Sequence, residues 1–251
     1  MILELLFVLA ALFLIGIFFY KQALEDFDIL QIEANQLEKL QDLISEQSFV
    51  VVRSLPPIRL WTNETTKQMK SLYGVQYGTI RLGDFFEAEE TKLPTTYPKT
   101  SHHLAEATGV RTWVEKTWLE KVYSGWLSGL FSTSTEVCLG VKGLRKTTAY
   151  STMILPTDGT LLLSVMPEKS ETYLPKTWKG RMFDSLTRVD SPLIGEIKYV
   201  DIKVKQGSAV FIPPHWIVSI RNDEESKKAP WFVWGEFHHP LSKLAKRLSE
   251  E

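Results

Sequence analysis

Three side chains near the end of the chain are of the types that bind metal ions. Glu236 and His238 lie two residues apart on a run that we predict as the last strand, so they share one face of it. His215 belongs to the neighbouring C-terminal region, which would allow a Glu/His/His metal cluster. The alternative is a surface role, because His215 sits at a proline-rich corner and His238 at a strand exit.

The rest of the sequence offers few groups for catalysis. It has no Gly-x-Ser-x-Gly elbow, phosphate loop or His-Glu-x-x-His motif, and adjacent His102 and His103 point to different sides of any element. The single cysteine, Cys138, excludes an intrachain disulfide and lies in a strand-like run, which predicts a buried, inert thiol. Asp158 lies in a Pro-Thr-Asp-Gly sequence that is typical of a turn.

Short apolar runs separated by turn residues predict the strands that would position these side chains. Residues 200–220 predict a hairpin that breaks at Gly207, and Pro213-Pro214 then separates it from another strand. Such a succession indicates a sandwich or closed barrel, and therefore a mainly β, α+β fold. The predicted strands are Phe49 to Val52, Val137 to Val141, Thr147 to Leu155, Thr160 to Val165, Glu171 to Leu174, Glu196 to Val204, Ala209 to Ile212, Trp216 to Ile220 and Trp231 to Phe237.

Helical spacing dominates the N-terminal half. Residues 22–47 predict a helical stalk or docking segment with a break near residues 29–33. Leu104 to Phe131 predicts an amphipathic helix, interrupted by Gly125 and Gly129, that packs on the sheet. A final amphipathic helix is predicted within residues 241–251. The helices should therefore form a layer against a β-domain that spans residues 48–240.

The C-terminal strand pattern resembles cupin-like, JmjC-type hydroxylase domains. Their motif runs Pro-Gly-Asp, apolar strand, Ile-Pro, two spacers, Trp-Trp-His, and it is matched here by Gly207, Phe211, Ile212, Pro213 and Trp216. The resemblance implies a double-stranded β-helix, the cupin-like jelly roll, with a helical N-terminal layer. In that family a His-x-Asp or His-x-Glu pair and a later histidine hold iron beside 2-oxoglutarate.

The resembled iron site lacks its ligands in this chain. The position of the last histidine is Val218. The run from Leu139 to Gly143 matches the family's Ile-Gly-x-Lys-Gly and places the pair at Ala149 and Ser151. Counting back from the next strand places it instead at Met153 and Leu155, so neither register supplies an imidazole or a carboxylate.

One cofactor residue of the family has a counterpart. Lys169 falls where many members keep a lysine that pairs with the carboxylate of 2-oxoglutarate, so the resemblance makes it the candidate cofactor-binding residue. A solvated turn lysine is the alternative interpretation.

The composition and the N-terminal sequence indicate whether nucleic acid or a membrane is a partner. The formal net charge is −1 and no basic stripe is visible, which argues against a nucleic-acid partner. Residues 1–21 predict a single-pass membrane anchor, with residues 2–20 in contact with the membrane. Lys21 favours a cytoplasmic body, whereas the glycosylation sequon at Asn63 would matter only in a lumenal one.

Three functions are compatible with these features. The first is a membrane-anchored, degenerate cupin-like protein without catalytic residues, metal or cofactor, which serves a structural role or binds protein partners. The second is an Fe(II)/2-oxoglutarate-dependent hydroxylase whose metal ligands lie elsewhere in the chain. The third is a cupin module that binds a small ligand in its apolar pocket.

Overall fold

Two β-sheets form the body of the α+β fold. The computed structural model describes residue 11, residues 28–223 with gaps at 57, 59–60, 78–79, 88–101 and 124–127, and residues 230–240. Within these ranges the large sheet has six strands and the small sheet four, and one further pair of strands stands apart. Helices pack on one face of the large sheet.

Among the described residues, α-helices and strands alternate in the N-terminal half, whereas the C-terminal half contains strands and short 3-10 helices. The strands are β1 (Ile29–Glu33), β2 (Phe49–Arg53), β3 (Gln76–Tyr77), β4 (Ile80–Arg81), β5 (Ser132–Leu139), β6 (Lys142–Lys146), β7 (Ser151–Asp158), β8 (Thr160–Met166), β9 (Val200–Lys205), β10 (Ala209–Ile212), β11 (Ile217–Asn222) and β12 (Trp231–His238). The α-helices are α1 (Leu40–Ser45), α2 (Asn63–Gln68), α3 (Leu82–Glu87), α4 (His102–Ala107) and α5 (Val110–Val122). Short 3-10 helices cover Ala34–Lys39, Lys70–Leu72, Ser128–Leu130, Glu168–Tyr173, Phe183–Ser185 and Ile194–Glu196.

From β5 onward the chain passes repeatedly between the two sheets. The large sheet has the order β1-β2-β10-β7-β12-β5, and the small sheet has the order β6-β11-β8-β9. Neighbouring strands are antiparallel except β1 and β2, which pair in parallel. The strands that enclose the space between the sheets therefore come from distant parts of the sequence.

Successive side chains along the strands of the large sheet point to opposite faces, so these strands contribute to two separate hydrophobic cores. Ile154 and Trp234 point between the sheets, into a cluster we call the inter-sheet core. Met153 and Val233 point to the opposite face, where the helices cover them. In α5 the buried residues Val110, Val114, Trp118 and Val122 recur every four positions, which gives this helix one apolar stripe for the sheet.

The N-terminal half differs from the prediction at a strand on the edge of the large sheet and at a glycine between two helices. Residues 29–33, where we predicted a break in a helix, form strand β1, because Ile29 and Ile32 gain a partner in the β-branched strand β2. The helix predicted from Leu104 to Phe131, with interruptions at Gly125 and Gly129, is divided at Gly109, whose φ of 75° is left-handed. Two helices, α4 and α5, result.

In the C-terminal half, one predicted strand is replaced by a 3-10 helix and one strand was not predicted. Glu171 to Leu174, predicted as a strand, belongs largely to the 3-10 helix Glu168–Tyr173, which follows Pro167. Strand β6 was not predicted, because Lys142–Lys146 contains three cations and one glycine and so lacks an apolar alternation. It is held in place by pairing with β11.

Most residues at the two ends of the chain lie outside the residues that the structure describes. The anchor predicted at residues 1–21, including its membrane contact through residues 2–20, and the helix predicted at residues 241–251 fall outside the described residues, apart from residue 11. Across the ranges that are described, no helix combines the length and hydropathy that a bilayer span requires.

Candidate functional site

The position of the resembled family's last iron ligand lies between the two sheets. Val218 on β11 is 1% exposed and belongs to the inter-sheet core. It pairs with Arg145 on β6 and with Val165 on β8. A side chain at this position therefore faces the space between the sheets, as an interior ligand would.

Neither alternative register for the His-x-acid pair places both of its residues on the face of Val218. Met153 and Leu155 on β7 belong to the helix-covered core, on the opposite face from Val218. Ala149 and Ser151 lie where β6 leads into β7, and they are 0% and 1% exposed. Ser151 pairs with Phe237, which belongs to the helix-covered core, so Ser151 shares the face of Met153 and not that of Val218.

A buried carboxylate lies between the two sheets. Glu236 on β12 is 3% exposed, and its Oε1 accepts hydrogen bonds from Arg145 Nη2 at 3.0 Å and from Trp234 Nε1 at 3.1 Å. Its Oε2 lies 3.2 Å from Nε2 of His238, which is 5% exposed. The sequence correctly places Glu236 and His238 on one face.

A second carboxylate extends this group. Glu136 on β5 is 4% exposed, and its Oε2 accepts a hydrogen bond from Lys142 Nζ at 2.7 Å. Arg145 Nη1 lies 3.6 Å from the same oxygen, so this guanidinium bridges both carboxylates. His102 Nε2 lies 3.6 Å from Glu136 Oε1 at the rim. We call Glu136, Lys142, Arg145, Glu236 and His238 the interior ion cluster.

The interior ion cluster is balanced in charge and closely packed. Its two carboxylates face two cations, which offsets much of the cost of removing the charges from water. Lys142 Nζ and the Arg145 guanidinium lie 4.4 Å and 5.1 Å from the Trp234 ring, within the range of cation–π contacts. The charges therefore stabilise one another, without needing an external ion.

Cys138 lies beside the interior ion cluster. Its Sγ is 3.5 Å from Lys142 Nζ. Burial nevertheless raises the pKa of this thiol from 9.0 to about 11, because the thiolate would lose its hydration. The thiol is therefore protonated at neutral pH, as expected of an inert core cysteine rather than a nucleophile.

The residues at the resembled iron site do not fit a ferrous ion. Val218 and Ala149 have no donor atom, and Ser151 offers only a hydroxyl in place of a carboxylate. The neighbouring cation Arg145 would also repel a divalent ion at this place. No iron chemistry can therefore be derived for these residues.

His215 does not join the interior cluster. Its side chain is 49% exposed, and its Nδ1 lies 3.7 Å from Glu168 Oε1. The fold uses its backbone instead: φ is 70°, and the His215 N–H donates to Thr147 O at 2.7 Å. Thr147 Oγ1 also donates to Pro213 O, so this threonine fixes the corner. The proposed cluster of His215 with Glu236 and His238 is therefore not assembled.

The remaining candidates lie apart from the inter-sheet core. Lys169 is exposed in the 3-10 helix Glu168–Tyr173, beyond the end of β8. Asp158 ends β7, and its Oδ2 accepts the Asn63 N–H at 2.9 Å, which is a structural role. In the described part of the chain, no three His, Cys, Asp or Glu side chains are grouped to hold a metal ion.

Three members of the interior ion cluster were missed from the sequence. Glu136, Lys142 and Arg145 lie in short strands far from β12 in the sequence, and only the sheet order brings them together. The available signal was the charge of Glu136 next to the apolar run that follows it, which is unusual for a buried position.

Neither a protein-family model nor a curated protein matches the chain. The resemblance to cupin-like, JmjC-type domains thus rests on the residues of their motif, and the interior ion cluster is interpreted from its own geometry.

Proposed function

We propose that this chain is a degenerate, cupin-like jelly roll that acts as a non-catalytic scaffold for a protein partner. In this proposal the barrel is retained for its surface, and its interior is closed by charged and apolar side chains. No residue is assigned a catalytic role.

The strand order supports the jelly-roll part of the proposal. In a jelly roll, eight strands alternate between two sheets so that the first strand neighbours the last and the second neighbours the seventh. Numbered from β5, the first strand neighbours the eighth, β12, and the second, β6, neighbours the seventh, β11. β1 and β2 then extend the large sheet.

The contacts of Arg145 support the proposal that the interior is not a catalytic site. Arg145 pairs with Val218, the position of the missing histidine, and forms ion pairs with both Glu136 and Glu236. A catalytic iron needs three donors and open positions for its substrates. Here Lys142 and Arg145 pair with both interior carboxylates, which favours a structural interior, although His238 Nδ1 is buried with no hydrogen-bond partner among the described residues.

The membrane location remains part of the proposal. Its support is the apolar sequence of residues 5–20, which is close to the roughly 20 residues of a spanning helix. Lys21 favours a body on the cytoplasmic side. Attachment at one end would hold the barrel near the bilayer and leave its sides accessible to a partner.

Metal retention tests the proposal. The full chain, purified in dodecyl maltoside micelles without a histidine tag, is incubated anaerobically with Fe(II) and 2-oxoglutarate, desalted and analysed for iron. We expect far less than one iron per chain and no turnover of 2-oxoglutarate. Stoichiometric iron would overturn the proposal, and its loss in a His238→Gln variant would identify a relocated site.

A further inference from the structure

The first residues of β1 and β9 lie at the same end of the molecule. Ile29 and Val200 line one groove of about 340 Å³ between the two sheets. Both also pack against the inter-sheet core. We call the end of the molecule that contains these two residues the entry end, because the chain enters the large sheet there through β1.

A short stretch of chain connects the predicted membrane anchor to the entry end. The anchor is predicted to end at residue 21, and β1 begins eight residues later at Ile29. Because a chain advances by at most about 3.5 Å per residue, Ile29 lies within about 28 Å of the end of the anchor. In the proposed membrane location, the entry end is therefore held close to the bilayer.

Three apolar side chains are exposed on the segment that leads into β9. Val189 is 96% exposed, Leu193 is 53% exposed and Tyr199 is 46% exposed. Tyr199 immediately precedes β9, and its ring packs edge-on against Phe183 with 4.8 Å between the ring centroids. This segment therefore offers apolar surface that the domain itself does not cover.

Strand pairing and a side-chain hydrogen bond place this segment at the entry end. β8 ends where β9 begins, because Val165 pairs with Val200. The 3-10 helix that follows β8 therefore lies at the entry end, and its Tyr173 O accepts a hydrogen bond from Ser191 Oγ at 2.6 Å. Ser191 lies midway between the first two exposed apolar residues in the sequence. The exposed apolar side chains and the start of β1 thus share one end of the molecule.

Hydrogen bonds of Asp190 hold the turn that exposes Val189. Asp190 Oδ2 accepts hydrogen bonds from the N–H and the Oγ1 of Thr187, both at 2.9 Å. Its Oδ1 accepts a hydrogen bond from Arg181 Nη1 at 2.7 Å. Val189 is therefore presented outward by an ordered turn.

The same region carries cations that no carboxylate of the described chain neutralises. Between residues 167 and 199, four of the five acidic residues are paired with cations: Glu168 and Glu171 with Lys146, Asp184 with Arg221, and Asp190 with Arg181. Four exposed cations form no ion pair within the described ranges, and these are Lys176, Lys179, Arg188 and Lys198. The remaining acid is Glu196. This excess of positive charge favours an anionic surface as the binding partner.

We infer that this part of the entry end contacts the surface of an anionic bilayer, the one that the predicted anchor spans. Val189, Leu193 and Tyr199 enter the headgroup layer, where apolar side chains lose water and tyrosine is favoured. Arg188 and Lys198 adjoin two of these residues in the sequence, and their long side chains reach the lipid phosphates and carboxylates. We call these five residues the bilayer face. The inference rests on the proposed membrane location and specifies which surface of the domain meets the lipid.

Quenching by spin-labelled lipid tests the inference. The full chain with Cys138→Ala and Val189→Cys is labelled with nitrobenzoxadiazole and reconstituted in nanodiscs of phosphatidylcholine with about 30% phosphatidylserine. Phosphatidylcholine with a doxyl group close to its headgroup is the quencher. We expect at least about threefold stronger quenching at position 189 than at a control position outside the bilayer face.

Met69→Cys, labelled in the same background, is the control position. Met69 is also an exposed apolar residue, at 40%. It follows α2, whose Asn63 N–H donates to Asp158 at the end of β7 that lies away from the entry end. Equal quenching at positions 189 and 69 would overturn the inference.

Charge reversal tests the role of the lipid charge. Arg188→Glu/Lys198→Glu should remove at least about half of the quenching at position 189. Lys116→Glu/Lys121→Glu changes the net charge equally but lies on the exposed face of α5, which covers the opposite side of the large sheet, so it should leave the quenching unchanged. The same loss in both double variants would contradict a contact through the bilayer face.

Carbonate extraction of the membranes tests the anchor separately. A chain that stays in the membrane while position 189 is not quenched would overturn this inference alone. A chain that carbonate releases would also overturn the proposed membrane location. The non-catalytic role would still be decided by iron retention.

Discussion

Arg145 Nη2 lies 3.0 Å from Glu236 Oε1, and this contact joins β6 of the small sheet to β12 of the large sheet inside the molecule. The Glu236 side chain is 4% exposed, so its carboxylate depends on protein groups for its solvation. Replacement of Arg145 by Met should therefore lower the free energy of unfolding by about 2 to 3 kcal/mol. The loss is below the value for a fully buried pair because Arg145 is 30% exposed. Urea denaturation of the full chain in micelles measures it.

Arg221→Met is the matched control for this prediction. Arg221 is 27% exposed and also pairs with two carboxylates, Asp184 and Asp201, but these are 52% and 33% exposed. Water can solvate these two carboxylates once the guanidinium is removed, so the free energy of unfolding should fall by less than about 1 kcal/mol. Equal losses in the two variants would show that Arg145 contributes through packing alone.

Removal of the second charge should restore part of the stability. In the Arg145→Met/Glu236→Gln variant no unpaired carboxylate stays buried next to the methionine, and the amide can still accept the Trp234 N–H. We expect the double variant to be at least about 1 kcal/mol more stable than Arg145→Met. A double-mutant cycle by urea denaturation measures the coupling. Additive losses would contradict a direct interaction between the two side chains.

The Cys138 thiol should make stability depend on alkaline pH. Its pKa is about 11 in the fold against 9.0 for an ordinary thiol. Between these values only the unfolded chain loses the proton, so stability falls as pH rises from 9 to 11. At pH 10.5 this loss should reach about 2 kcal/mol, from about 1.4 kcal/mol per pKa unit.

The Cys138→Ala variant isolates this effect from other groups that titrate in alkali. The wild type should be more stable than the variant at pH 8, and the difference should shrink by about 2 kcal/mol at pH 10.5. In the native state the thiol should also react with iodoacetamide far more slowly than in urea. A difference that stays constant with pH, or rapid native labelling, would show that the thiol is accessible.

Gly143 on β6 is required because another part of the backbone touches it. A Cβ at this position would lie 2.2 Å from Gly180 O, and Leu144 exchanges two 2.8 Å backbone hydrogen bonds with Gly180 and Arg181. Gly143→Ala should therefore cost about 1 to 3 kcal/mol, as overpacking does. Hydrogen exchange of residues 178–181 should increase.

Gly74→Ala provides the comparison for Gly143. A Cβ at Gly74 meets nothing within 4 Å, so its stability should change by less than about 1 kcal/mol. Similar losses at Gly74 and Gly143 would point to backbone flexibility as the cause, and not to the close approach of Gly180.

Local signals account for the parts of the fold that could be predicted. Ala209–Ile212 is a strand with the predicted ends, because Gly207-Ser208 precedes it and Pro213 cannot continue the ladder. Predicted β7 began too early, at Thr147, because Thr147 bonds to the backbone of the Pro213–Trp216 corner instead of a neighbouring strand. β-Branched residues favour strands without fixing where they begin.

The candidate site was predictable only within one strand. Glu236 and His238 share a face by strand periodicity, and the structure places them side by side. Their cations come from β6, whose sequence gives no strand signal, and the exclusion of His215 depends on the left-handed corner that turns its side chain outward. Such relationships arise from sheet order, which spacing along one sequence does not contain.

The place of β12 in the large sheet also constrains how the protein is made. This strand lies between β5 and β7, although it follows them by more than 70 residues in the sequence. On a ribosome, both would emerge with open edges and wait for their shared neighbour. The large sheet can be completed only after synthesis has passed residue 238, so the nascent chain depends until then on the helices to cover its apolar strands.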